Sequence, residues 1–144
     1  MKKILNILFF ILIGCTAGFT SINNTNIDPA FNKYIVNYQK LKHGYINKQI
    51  SMLFSTLPGH TIGLCTIYDN GERYIQIDPE FWFNTTDNDK QTLIFHELGH
   101  CDLNRNHTGP ASIMEVYHIN GSEYERHRDY YNDELFGRVK KQTF

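Results

Sequence analysis

The chain is 144 residues long, with 14 lysines and arginines against 15 aspartates and glutamates, a formal net charge of -1 and 41% hydrophobic residues. That length and apolar fraction fit one small globular domain rather than two. The near-neutral balance lacks the basic excess that a nucleic-acid partner would call for, and aromatics at 14% suffice for both a compact core and an aromatic-lined groove.

The chain opens MKKILNILFFILIGC, two lysines followed by an apolar run from Ile4 to Ile13. The run is too short to span a bilayer as a permanent helix and reads as an export signal over residues 1–14. Its end, Leu12-Ile13-Gly14-Cys15, resembles the bacterial lipobox, in which the cysteine is diacylated and becomes the new N-terminus. The resemblance implies a lipid on Cys15. Thr16 stands where an aspartate would signal inner-membrane retention, which implies anchoring to an outer membrane, facing the periplasm or the cell surface. An ordinary secretory signal would also place the mature chain outside the cytoplasm. Residues 15–28 are rich in Ser, Thr and Asn without an apolar period and read as a flexible tether, leaving 29–144 as the domain.

From Pro29 the pattern becomes helical. Phe31, Tyr34, Ile35, Tyr38 and Leu41 recur at helical spacing, Asp28 can cap the first turn, and Gly44 can end the helix. The amphipathic stretch Ile46 to Leu57 fits either a short helix or a strand. Asp69-Asn70-Gly71 then separates two β-rich runs, a hairpin signal that predicts a type I′ turn between strands at about 61–68 and 73–78. Ile62, Leu64, Thr66 and Tyr68 share one face of the first. Phe81-Trp82-Phe83 after Pro79 supplies an apolar plug or groove wall.

A further helix is expected near Asp87, whose carboxylate can cap it. Ile94, Phe95, Leu98 and Cys101 make its buried back, and His96 and His100 project from the other side with Glu97 at their flank. Residues four apart lie one turn apart on one face, so His96 and His100 can aim ring nitrogens at one ion. Glu97 is displaced enough to stay out of the ligand set and near enough to take a proton from a water there. Gly99 leaves the helix surface open to a close approach. With Cys15 set aside, Cys65 and Cys101 are an even pair in an oxidising compartment; a disulfide and two buried thiols both remain open.

His96-Glu97-Leu98-Gly99-His100 is an HExxH motif, and residues 95–117 resemble the zinc-dependent metallopeptidases, within them the metzincin type. The resemblance implies a Zn2+ ion on His96, His100 and a downstream histidine, with Ser112-Ile113-Met114 as the Met-turn below it. The departures are specific. Leu103 replaces the glycine that ends the helix, Asn106 occupies the usual third-ligand position, and His107 comes one residue late. A loop absorbs one residue, and Asn104 or Asn106 can supply the left-handed turn, so His107 is the expected third ligand. The rival scheme is that of the gluzincin type, with Glu125 as ligand and Asp129 behind a histidine; Ser122 and Glu125 also fit a capping box on a last helix at about 123–136, stopped by Gly137. His118 is a further histidine in reach of a ligand role. Tyr117 lies near the region where some metzincins hold an oxyanion-stabilising tyrosine.

The sequence thus implies an α+β domain in which a small twisted sheet with a hairpin packs on the HExxH helix between N- and C-terminal helices. The expected function is a lipid-anchored zinc endopeptidase that binds protein or peptide substrates, with Glu97 as general base. The alternative of a different class is a zinc-binding lipoprotein that engages a partner without hydrolysis.

Overall fold

The computed structural model describes residues 26–140. The signal segment, Cys15 and all but the end of the tether lie outside the described residues. The described residues form a small α+β domain with a three-stranded mixed sheet and five helices. Among the described residues no helix is long and apolar enough to cross a membrane.

Asp28 accepts the Ala30 N–H at 2.9 Å, so the chain enters through a single 3-10 turn at Pro29–Phe31 before helix α1, Asn32–Lys42. The left-handed residue that ends α1 is His43 (φ 59°), one position before the expected Gly44. Gly44 N–H still closes back on Gln39 O. The open stretch resolves into strand β1, Ile50–Phe54. It pairs in parallel with β3, Arg73–Ile77, whose other side pairs antiparallel with β2, Gly63–Ile67. Strand order is therefore β1-β3-β2, with β2 at an edge.

The hairpin forms where expected but with a different turn. Gly71 N–H reaches Tyr68 O, Tyr68 N–H reaches Glu72 O, and Gly71 (φ 88°) carries positive φ while Asn70 does not. This is a three-residue loop with a glycine bulge, which needs only one left-handed residue where type I′ needs two.

The sheet has one covered face. Met52, Ile75 and Ile77 point inward and are fully buried or nearly so, whereas Leu53, Leu64, Tyr68 and Tyr74 of the outer face are 38–52% exposed. Phe31, Phe54 and Trp82 pack ring against ring at 4.7 to 5.8 Å between centroids. Trp82 belongs to the short helix α2, Pro79–Phe83, so the aromatic triplet divides: Trp82 is in the core and Phe83 is 71% exposed.

Helix α3, Asp87–Cys101, packs on the inner face of the sheet, with α1 and α4 against it. Its cap is Thr86, in a reciprocal capping box with Asp89, in place of the expected Asp87. Asp87 instead pairs with Lys33 and accepts the Tyr34 hydroxyl, joining α3 to α1. At the far end Arg73 donates to Cys101 O and to Asn104 Oδ1, and Cys65 is disulfide-bonded to Cys101. The last helix is two: α4, Gly121–Arg126, and α5, Arg128–Leu135. The cap of α4 is Asn120, not Ser122. Gly137 does adopt the left-handed conformation (φ 69°) just past α5.

Candidate metal centre

On α3 the buried stripe Ile94, Phe95, Leu98 and Cys101 faces the core, each 0% exposed. That fixes the rotation of the helix, so His96 and His100 emerge together into an open cavity of about 890 Å³. Beyond Cys101, Asn104 takes the left-handed conformation (φ 53°), and Arg105 N–H closes on Gly99 O. The chain thereby doubles back and brings His107 over the helix. Thr108 N–H to Met114 O at 2.7 Å ties this loop to the next one.

The three Nε2 atoms of His96, His100 and His107 form a nearly equilateral triangle, 3.1 to 3.2 Å on each side. These three residues lie close enough to hold one metal ion. Four tetrahedral nitrogen ligands at about 2.0–2.1 Å would be about 3.3 Å apart, so the spacing fits such an ion with little adjustment. The tautomers point the same way. His96 Nδ1 lies 2.7 Å from Ile113 O and His100 Nδ1 lies 2.7 Å from Arg105 O. A carbonyl only accepts, so both Nδ1 atoms carry hydrogen and both Nε2 atoms present lone pairs to the common centre. Lone pairs held that close repel unless a cation or a proton lies between them.

Burial lowers the pKa of His96 to about 4, opposed by its bond to Ile113 O, and His100 is lowered mainly by burial as well. Both rings are therefore neutral at neutral pH, the form that coordinates metal. Glu97 is 4% exposed and lines the same cavity. Burial pushes its carboxyl up to about 8; a cation alongside would pull it back down. Gly63 on β2 makes the room for it: a Cβ there would lie 2.5 Å from Glu97 Oε1.

Gly99 serves Met114. A Cβ on Gly99 would overlap the Met114 sulfur, and Met114 is fully buried against the helix between the two histidine positions. The close approach the sequence foresaw at Gly99 is thus made by a side chain.

Two expected residues stand elsewhere. Tyr117 is 80% exposed and lines a separate hollow with Glu115, Ile119 and Tyr131; its neighbour Val116 lines the histidine cavity, and His118 stands between the two and borders both. Glu125 accepts from Asn88 Nδ2 at 2.8 Å near the start of α3, far along the helix from His96. The break between α4 and α5 at His127 also takes Glu125 and Asp129 off a common helix. The structure brings neither Glu125 nor Asp129 to the histidines. His118 holds Thr92 Oγ1 at 3.3 Å, with Asp89 at 3.7 Å.

The sequence did not reveal Gly63, Arg105 or Glu134. Each acts across the fold, and no local spacing marks it. Comparison with protein-family models, with curated proteins and with solved structures finds no match. The site's chemistry therefore rests on its own geometry.

β2 pairs on one side only among the described residues. Tyr68 N–H reaches Glu72 O and Asp78 N–H reaches Ile62 O at the two ends of the β2–β3 ladder, so the alternation of an antiparallel ladder directs the backbone groups of Gly63, Cys65 and Ile67 away from β3. These three residues line the cavity.

Proposed function

We propose that this chain is a zinc-dependent endopeptidase of metzincin-like design, carried outside the cytoplasm on a lipid at Cys15. The observation that carries the reading is the triangle of Nε2 atoms with Glu97 in the same open cavity. Three histidines leave a fourth position open, as catalytic zinc sites do, and a closed structural site has no use for a buried carboxylate beside it.

Zinc held by His96, His100 and His107 would supply a Lewis acid able to lower the pKa of water and polarise a carbonyl. The chain's own residues supply the rest. Burial alone perturbs the Glu97 carboxyl, with no hydrogen bond contributing, so its oxygens can accept a proton from the attacking water and return it to the leaving nitrogen. The outward N–H and C=O groups of Gly63, Cys65 and Ile67 supply a strand edge on which an extended peptide can pair beside the histidines. That edge favours a polypeptide over a small molecule as substrate. The disulfide between Cys65 and Cys101 accords with an oxidising compartment.

The test is metal analysis of the purified protein together with cleavage of a mixed peptide library by the parent and by Glu97→Gln. The expected result is one zinc per chain in both, with hydrolysis reduced roughly 10²- to 10⁴-fold in the variant. Equal cleavage by the two proteins defeats the mechanism.

A further inference from the structure

Glu134 lies on α5, outside the histidine cavity, and is 6% exposed. Its two carboxylate oxygens serve different loops. Oε1 accepts from Arg105 Nη2 at 2.6 Å and Oε2 accepts from Ser112 Oγ at 2.6 Å. Arg105 also donates to the backbone of Glu134 and Leu135 at the end of α5. Ser112 Oγ in turn accepts the Met114 N–H at 3.1 Å.

Both loops carry a carbonyl that governs a histidine. Arg105 O receives the Nδ1–H of His100, and Ile113 O, next in the chain to Ser112, receives the Nδ1–H of His96. Neither carbonyl belongs to a regular ladder that would fix its direction. We infer that Glu134 is a positioning residue for both helix-borne histidines, aiming two carbonyls from two loops and so keeping both Nε2 atoms free of hydrogen. An apolar residue of similar size could replace a buried ion pair that served stability alone, but it could not address Arg105 and Ser112 together. If either carbonyl is misdirected, its imidazole is free to take the Nε2–H tautomer, which cannot ligate through the nitrogen that faces the common centre.

The inference rests on the metal-binding half of the reading above and is independent of hydrolysis. Its test uses the full chain with and without zinc. Zinc affinity is measured by chelator competition, and the ring-nitrogen protonation of His96 and His100 is read by nitrogen NMR of the metal-free protein. Glu134→Gln and Ser112→Ala are each expected to weaken zinc roughly 10- to 100-fold and to bring in the Nε2–H tautomer. The double substitution is expected to weaken zinc less than the product of the two effects, because both act through one carboxylate. Ile35→Val, in the fully buried core on α1, serves as control: it lowers the melting temperature while zinc affinity and tautomers stay as in the parent.

Parent-like affinity and tautomers in Glu134→Gln and Ser112→Ala overturn the inference, as does an affinity loss that the control reproduces. Should Glu134→Gln not fold, Ser112→Ala, which deletes one hydroxyl, decides the matter alone. A parent that binds no zinc overturns this inference and the metal reading together; a parent that binds zinc yet cleaves no peptide overturns the peptidase reading only.

Discussion

Cys65, on the open strand edge, is covalently joined to Cys101, the residue directly after His100. The strand that would receive a substrate and the helix that holds two of the three histidines are therefore one covalent unit.

Breaking that bond, by reductant or by Cys65→Ser, is expected to cost stability. With the cysteines 36 positions apart in the sequence, loss of the cross-link in the unfolded chain amounts to about 4 kcal/mol in the loop-entropy description. Urea unfolding with and without reductant measures it. A difference below about 1 kcal/mol would mean that the remaining contacts already hold β2 to α3.

Gly99→Ala should drive the Met114 side chain out of its seat. An added methyl group in a packed core costs roughly 1–3 kcal/mol. Combining it with Met114→Ala should recover part of the loss, since the two residues compete for one space. Additive losses in the double variant would show that Met114 is not what the glycine accommodates.

Gly63→Ala presses on Glu97 Oε1 and on Leu93 Cδ1, which lies 2.8 Å from the built Cβ. Zinc binding should remain near the parent's, because none of the three histidines is touched. Peptide cleavage should fall roughly 10²-fold, the scale of a misplacement of about 1 Å. Unchanged cleavage would free Glu97 from dependence on that glycine.

His107→Ala should weaken zinc by more than the roughly 10- to 100-fold that follows loss of an outer hydrogen bond, whereas Glu125→Ala should leave it unchanged. Chelator competition on the two proteins checks the pair. The reverse outcome would require Glu125 to leave Asn88 and travel to the histidines.

What the sequence made legible was local and periodic. The apolar stripe of α3, its two histidines and the Asn-Gly hairpin each follow from spacing within a few residues. β1 was ambiguous because Ile50, Ser51 and Met52 are all buried, which erases the alternation that marks a half-covered strand. The turn type failed for a related reason: Asn70-Gly71 suits both a two-residue and a three-residue loop, and the pairing register chose between them. Asn120 caps α4 instead of Ser122 because Gly121, the first residue of that helix, donates its N–H to Asp89, a contact from another helix. Tyr117 and His118 are adjacent, and only the path of the chain decides which of them enters the cavity. Glu134 reaches Arg105 across 29 residues and Ser112 across 22, so no motif could announce it.

Helix α3 is secured at both ends, by Thr86, Asp89 and Gly121 before the histidines and by Arg73 and Cys65 behind them. Such a helix has no slack to give when an ion comes or goes. Zinc finger-like behaviour, in which a chelator melts the fold, is therefore not expected here. The stripped protein should keep its amide-exchange protection along α3, and reloading should proceed at the speed of ion access, with no refolding step to wait for.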